Sequence, residues 1–154
     1  QHSAQIARLL NLAKPRGSAL LKPEDVIAAF GEKAYLLIQV GEEMAGLIGW
    51  QVENLVARTL DLIIEARIPA NQALQILISE MERASRELQC EASLVFLPEE
   101  GALAGQDWKK LGYELKTPAE LGVQAWQEAA LESMQPGMKM YFKQLRVDRV
   151  LRPI

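Results

Sequence analysis

The strongest constraint on the fold is a segment in which an alternating apolar pattern gives way to a helical pattern and then to a short apolar run. Residues 56–67 alternate, and a period of two predicts a strand. Residues 71–90 carry apolar side chains at helical spacing, and residues 92–97 form an apolar run of the length of a buried strand. Strand, helix and strand with tight joints form a βαβ crossover, so the two strands are expected to be parallel.

The same segment predicts which faces are buried and where a ligand would bind. The strand is expected to present alternate residues on its two faces, Leu60, Leu62 and Ile64 on one and Thr59, Asp61, Ile63 and Glu65 on the other. The helix is expected to pack across both strands through a stripe formed by Leu74, Leu77, Ile78 and Met81. Because ligands of such crossovers bind beyond the carboxyl ends of the strands, beside the helix N-terminus, residues 63–74 are the expected floor of any site.

The rest of the chain adds antiparallel strands before the crossover and alternating elements after it. Two helices are predicted near the start, one capped by Ser3 and one opening at Pro23. The other elements are predicted at residues 34–40 and 44–52 (strands), 101–111 (helix), 113–116 (strand), 123–134 (helix) and 138–145 (strand). The predicted fold class is mixed α/β (an α+β mixed sheet): an antiparallel meander, then one parallel βαβ crossover, with helices on both faces.

Length, charge and rare residues limit the class of function. A chain of 154 residues corresponds to one ordinary domain, and a net charge of −3 with a pI near 5.3 predicts no affinity for nucleic acid. No apolar run approaches the ~18–20 residues of a membrane span. His2 is the only histidine, which excludes histidine-based triads and histidine–metal sites within this chain. The only cysteine, Cys90, is interpreted as inert core filling, and its being alone fits a reducing cytoplasm.

The segment Trp-Lys-Lys-Leu-Gly-Tyr at residues 108–113, just after the crossover strand, adds a specific likeness. With the order of elements, it resembles the GNAT acyltransferase superfamily, in which a Tyr-x-x-x-Gly-Phe-like segment follows the fifth strand. The resemblance implies one GNAT-like domain over residues 1–154, with the family's first strand expected before residue 1. Residues 146–154 would then be a basic C-terminal tail.

The resemblance also implies a binding loop for the pyrophosphate of acyl-CoA, with the pattern Gln/Arg-x-x-Gly-x-Gly/Ala at the start of the central helix. The corresponding positions here are Ile68, Asn71 and Ala73, of which Ala73 alone matches. Arg67 stands one residue early, where it is interpreted as either a phosphate contact or a surface cation. Pro69 has no N–H to offer. The alternative interpretation is that Pro69 and Asn71 simply begin a structural helix.

By the same resemblance, acetyl-CoA or another acyl-CoA is the expected co-substrate, and no metal is expected. The pantetheine arm would pair with the backbone of the central strand at Ile63, Ile64 and Ala66. The pyrophosphate would meet Arg67 and the helix start at Asn71, Gln72, Ala73 and Leu74.

The catalytic positions of the family are less well matched. Trp108 occupies the position of the tyrosine that protonates the leaving thiolate, and Gly101 that of an asparagine. An indole N–H is not a general acid near neutral pH, so Trp108 is interpreted as a packing or lid residue. Glu65, on the same predicted face as Asp61, is the candidate general base. The alternative is that both are ordinary solvent-facing carboxylates.

Two functions from different classes follow. The first is an N-acyltransferase that moves an acyl group from acyl-CoA to an amine of a small molecule or peptide by direct attack. The second is a catalytically inert GNAT-like domain that acts as a ligand-sensing or protein-interaction module. No nucleic acid or membrane partner is expected, and a homodimer is compatible with the sequence. Residues 14–22 and 117–136 are the expected determinants of acceptor specificity.

Overall fold

A computed structural model of the chain describes residues 33–146. Its strands and helices are β1 (Ala34–Val40), β2 (Glu43–Glu53), β3 (Val56–Ile64), α1 (Ala70–Glu87), β4 (Ala92–Pro98), β5 (Glu114–Lys116), α2 (Gln124–Ser133) and β6 (Met138–Gln144). Short 3₁₀ turns lie at Ala102–Gly105, Trp108–Leu111 and Pro118–Glu120. The helices predicted from Ser3 and Pro23, the expected first strand and all of the basic tail except Arg146 lie outside the described residues. No helix within residues 33–146 is long and apolar enough to cross a membrane.

The strands form one six-stranded sheet in the order β1-β2-β3-β4-β6-β5. β1, β2 and β3 are joined by short turns and pair antiparallel, as the meander predicts. β3 and β4 are parallel, with Val56 opposite Ala92 and Thr59 opposite Val95, which confirms the crossover. β6 then inserts antiparallel between β4 and β5. The predicted mixed α/β class is therefore confirmed.

Two apolar cores cover the two faces of this sheet. On one face, α1 packs through the predicted stripe of Leu74, Leu77, Ile78 and Met81 against residues of β1, β2 and β4, among them Leu36, Ile48, Trp50 and Val95. On the other face, α2 packs through Trp126, Ala129 and Ala130 against Leu94, Phe96 and Met140. The helical spacing of α1 thus corresponds to a real buried stripe, because residues three and four apart share a helix face.

A β-bulge in β3 corrects the predicted faces of that strand. Trp50 of β2 lies opposite Thr59, but the preceding residue, Gly49, lies opposite Asp61, so Leu60 is an extra residue. Leu60 consequently packs into the α2-side core, whereas Leu62 and Ile64 pack into the α1-side core. The prediction that Leu60 shares a face with Leu62 was wrong, since a bulge interrupts the period of two.

The same bulge leaves the side chain of Thr59 in the interior. Thr59 is fully buried, and its Oγ1 has no hydrogen-bond partner among the described residues. A buried hydroxyl without a partner lowers stability. We expect Thr59→Val, which keeps the shape and removes the hydroxyl, to raise the free energy of unfolding by about 1 kcal/mol in urea denaturation. A loss of stability in Thr59→Val would contradict this. Thr117→Val is the contrasting control, because the Thr117 hydroxyl is hydrogen-bonded to Glu120 at a surface turn and its removal should not raise the free energy of unfolding.

Two of the predicted helices also differ from the structure. The helix predicted over residues 71–90 runs from Ala70 to Glu87, and the chain turns at Gln89, whose φ of 61° ends the helix. The helix predicted over residues 101–111 is instead two 3₁₀ turns. Asp107 separates them, because its side chain accepts a hydrogen bond from the N–H of Lys110 and so caps the N-terminus of the second turn.

Candidate functional site

The candidate site begins where β3 and β4 stop pairing. Their parallel register ends at Thr59 and Val95, within the part of the chain that the structure describes. Beyond that point β3 continues along β2 as far as Ile64, and β4 continues along β6 as far as Pro98. The two inner strand edges therefore face an opening rather than each other. Backbone N–H and C=O groups on such an edge are available to an extended ligand.

The strand residues predicted to bind the cofactor lie at the far end of this opening. Ile63 and Ile64 are the last residues of β3, paired with Leu47 and Gly46 of β2. Ile63 and Ala66 are exposed and Ile64 is half-buried. The N–H of Glu65 donates to the carbonyl of Ala45 at 2.8 Å, so that group points to β2 and away from the opening.

The N-terminus of α1 offers fewer donors than a glycine-rich loop would. Pro69 occupies the position before the helix and has no N–H. The N–H of Gln72 already donates to Oδ1 of Asn71 at 2.9 Å, and the N–H of Ala73 donates to the carbonyl of Pro69 at 3.1 Å. Leu74 is buried in the core. A pyrophosphate would therefore have to meet the N–H groups of Ala70 and Asn71, helped by the positive end of the 18-residue helix.

Arg67 is engaged by protein groups on the β2 side. Its guanidinium contacts the carboxylate of Glu43 and the carbonyl of Met44, and its Nε lies 2.7 Å from Oε2 of Glu65. The contact with Glu43 was missed from the sequence, although the hairpin prediction places the start of β2 opposite the end of β3. Two carboxylates around one guanidinium oppose the approach of a phosphate, because the three groups together carry a net negative charge.

The two candidate carboxylates enter separate ion pairs. Glu65 is paired with Arg67, just after the end of β3. Asp61 is paired with Lys33, on the sheet face opposite α1. Both carboxylates remain partly exposed to solvent. For Glu65 to accept a proton, it would have to exchange its contact with Arg67 for an incoming amine.

Trp108 lies in the core and has no free donor. It is 3% exposed, stacks on Tyr141 with ring centroids 5.0 Å apart, and meets Tyr113 edge-on. Its indole N–H donates to the carbonyl of Leu103 at 2.8 Å. The structure thus places Trp108 as a packing residue.

A groove of about 620 Å³ lies next to this aromatic group, at the β5 edge of the sheet. Its lining includes Trp108, Tyr113, Leu115 and Tyr141. It shares no residue with the predicted cofactor set.

A buried polar network on the α1 side was not predicted. The carboxylate of Glu82 accepts the hydroxyl of Tyr113 at 2.9 Å and contacts Nζ of Lys143 through both oxygens at 3.0 Å. The hydroxyl of Tyr113 also lies 2.8 Å from that of Ser93. Burial, with the Glu82 carboxylate beside it, raises the pKa of Tyr113 well above its usual value, so this phenol stays protonated. The feature of the sequence that could have indicated this network is Glu82, an acidic residue four positions after Ile78 on the apolar stripe of α1.

Residues 33–146 offer neither a reactive cysteine nor a cluster of metal ligands. Cys90 is fully buried, and burial raises the pKa of its thiol to about 11, which makes it a poor nucleophile at neutral pH. Among residues 33–146, no cluster of His, Cys, Asp and Glu side chains is arranged to hold a metal ion.

Comparison with known proteins identifies the architecture. No family model matches the chain, and no curated protein matches it. Solved structures do match. An acetyltransferase of the GNAT family from Staphylococcus aureus Mu50 is 11% identical, with a TM-score of 0.61 over 80% of this chain and 76% of that one.

Two further acetyltransferases align over most of the chain. The PaiA N-acetyltransferase from Thermoplasma acidophilum is 11% identical, with a TM-score of 0.57 over 79% of this chain and 70% of that one. The ribosomal-protein-S18-alanine N-acetyltransferase from Escherichia coli is 10% identical, with a TM-score of 0.56 over 99% and 92%. What these proteins share with the present chain is the backbone architecture, and the chain therefore has the GNAT fold.

Proposed function

We propose that the chain is an acyl-CoA-dependent N-acyltransferase that transfers an acyl group to an amine by direct attack. The observation that carries the proposal is the parting of β3 from β4 at Thr59 and Val95, beside the N-terminus of α1. Two solved structures with this fold contain the expected co-substrate or its product. The Thermoplasma acidophilum enzyme was solved with coenzyme A, and a streptothricin acetyltransferase from Bacillus anthracis, 12% identical, with acetyl coenzyme A.

The residues at the opening fit the pantetheine part of acyl-CoA better than its pyrophosphate. The unpaired edge of β3 up to Ile64 can exchange backbone hydrogen bonds with amide groups of the arm. The backbone N–H groups of Ala70 and Asn71 would supply the anion contacts. Arg67 would add one only after leaving Glu43. Acyl-CoA would supply the activated thioester, and the chain would supply its alignment with the amine.

Glu65 is the residue best placed to handle the proton of the attacking amine. As the amine nitrogen bonds to the carbonyl carbon, the carbon–sulfur bond breaks and CoA leaves as the thiolate. The ammonium proton passes to Glu65, directly or through water. Trp108 donates its only N–H within the core, so the thiolate takes its proton from solvent. The expected consequence is slow turnover, because positioning and backbone polarisation remain while the acid is lost.

A non-catalytic GNAT-like module is the second candidate. The specific observation in its favour is the pairing of Arg67 with Glu43 and Glu65, which neutralises the cation nearest to the helix start. Such a domain would keep the opening as a ligand-sensing or protein-interaction surface. The two functions differ in whether CoA binds and whether an acyl group is then transferred.

Calorimetry with CoA and acetyl-CoA tests the proposal. We expect both to bind with micromolar dissociation constants. We expect Arg67→Ala to weaken binding by about three- to tenfold and to reduce its dependence on salt, because one charge-assisted contact is lost. Arg83→Ala is the matched control, since Arg83 is a partly exposed arginine further along α1 and is paired with Glu80.

The outcome separates the two candidates. Acetyl transfer to any member of a broad amine panel, with CoA released, supports the enzyme. CoA binding without transfer supports the non-catalytic module. No heat with either ligand at millimolar concentration contradicts the acyl-CoA assignment altogether.

A further inference from the structure

An ammonium group is held between an aromatic ring and a carboxylate on the sheet face opposite α1. Nζ of Lys33 lies 5.4 Å from the centroid of the Tyr35 ring and contacts the carboxylate of Asp61. Burial alone would lower the pKa of Lys33, but the hydrogen bond and charge of Asp61, together with smaller contributions from Tyr35, outweigh it, and the pKa is raised. An aromatic face with a carboxylate is a recurrent arrangement for binding alkylammonium groups.

The backbone is shaped to bring Tyr35 and Asp61 together. Gly49 lies between them in one row across three strands, opposite Tyr35 on β1 and Asp61 on β3. A Cβ at Gly49 would lie 2.8 Å from the Tyr35 ring and 3.0 Å from Oδ2 of Asp61, so any larger residue would displace one of them. The extra residue Leu60 sets the register in which Asp61 meets Gly49.

This ammonium-binding pair, Tyr35 and Asp61, is close to the candidate site along the strand. Asp61 lies two residues beyond Thr59, the last residue of β3 that pairs with β4. It is therefore on the part of β3 that borders the opening. The next residue on the same face, Ile63, is exposed and could contact the hydrocarbon part of a ligand.

We propose that Tyr35 and Asp61 bind an alkylammonium group of the acceptor, and that Lys33 occupies this site until the acceptor displaces it. That the ligand is the acyl acceptor rests on the proposed function, whereas the binding site itself rests on the geometry alone. The ligand class is an alkylammonium that belongs to a molecule with a separate amine to be acylated. An ammonium held by Asp61 stays protonated and cannot itself attack.

The test uses n-butylammonium as a probe and needs neither CoA nor turnover. In Lys33→Met, which removes the internal ammonium and keeps the chain length, we expect n-butylammonium to shift the Tyr35 ring signals in NMR spectra with a millimolar dissociation constant. The unmodified protein should bind the probe at least ~10-fold more weakly, because Lys33 is present at a high effective concentration. Lys109→Met, at an exposed lysine elsewhere, should behave like the unmodified protein.

Second substitutions in the Lys33→Met background identify the groups responsible. In these variants binding is followed by the backbone amide signal of Gly49, which lies between the two side chains. Asp61→Asn and Tyr35→Leu should each abolish its shift, whereas Tyr35→Phe, which keeps the ring face and loses only the hydroxyl, should retain a weaker one. n-Butanol should cause no shift. Thermal melting is used to check that each variant is folded. Saturable binding that Asp61→Asn abolishes supports the inference even if CoA fails to bind. An unshifted Tyr35 in folded Lys33→Met, or equal binding in the Asp61→Asn form, overturns it and leaves the calorimetry with CoA to decide the proposed function separately.

Discussion

Replacing Glu82 by alanine is expected to lower the free energy of unfolding by about 3–4 kcal/mol. Glu82 is 5% exposed, and its carboxylate is the shared partner of Lys143 and Tyr113. Its removal leaves the ammonium with the carbonyl of Leu111, at 2.9 Å, as its remaining oxygen partner in the network. The Tyr113 hydroxyl keeps only Ser93. Lys143 is partly buried, and Arg86 also contacts the Glu82 carboxylate, at 3.6 Å. Removing that carboxylate leaves a partly buried cation without its counter-charge, which destabilises the folded state.

Urea denaturation of three variants measures this effect and its origin. The double variant Glu82→Leu/Lys143→Met removes both charges and should recover most of the stability lost in Glu82→Ala, because two apolar groups of similar volume need no partner. Glu80→Ala is the control, since Glu80 lies on the same helix and pairs with Arg83 near the surface. It should change the free energy of unfolding by less than about 1 kcal/mol. A Glu82→Ala variant as stable as the control would show that the network does not support the fold.

Replacing Leu77 by alanine is expected to destabilise the protein by about 2–5 kcal/mol. Leu77 is 1% exposed and lies at the centre of the α1 stripe, between the helix and the sheet. The loss combines the apolar area that is no longer buried with the cavity that the surrounding side chains fail to fill. The position within this range depends on how far Leu74 and Met81 relax into the space.

The adjacent residue provides a matched control for that experiment. Ile76 is 50% exposed on the same helix, so Ile76→Ala should have a much smaller effect, about 0.5 kcal/mol or less. Chemical denaturation, followed by the helical circular dichroism signal, measures the free energy of unfolding of both variants. Equal effects at the two positions would mean that α1 does not pack on the sheet as described.

The crossover could be predicted from the sequence because its signals are local. The spacing of Leu74, Leu77 and Met81 within one helix determines the buried face, and the length of the apolar run at residues 92–97 favours a strand over a helix. The pairing of β3 with β4 then follows from the handedness and length of the connection. The helix predicted at residues 101–111 failed for a local reason too, because Asp107 caps a new turn inside it.

The site was less predictable because its contacts join distant parts of the chain. Nothing near Arg67 in sequence indicates that Glu43, 24 residues earlier, binds its guanidinium. The bulge at Leu60 cannot be recognised in the sequence, because Thr59, Leu60 and Asp61 also fit a regular strand in which polar and apolar residues alternate. The cofactor-binding residues Ile63, Ile64, Ala66, Arg67, Asn71, Gln72, Ala73 and Leu74, and the base Glu65, remain predictions that the calorimetry and the transfer assays address.

The bulge at Leu60 means that the opening beside β3 depends on strand length more than on side-chain identity. We expect most substitutions at Leu60 to keep two residues opposite one and so to keep the bulge. We expect deletion of Leu60 to remove the bulge and to favour continued pairing of β3 with β4, with Thr59 and Asp61 still on opposite faces. Divergence by point mutation can therefore erase every recognisable motif around the opening and leave the opening itself in place. We expect the loss of that one residue to narrow the opening.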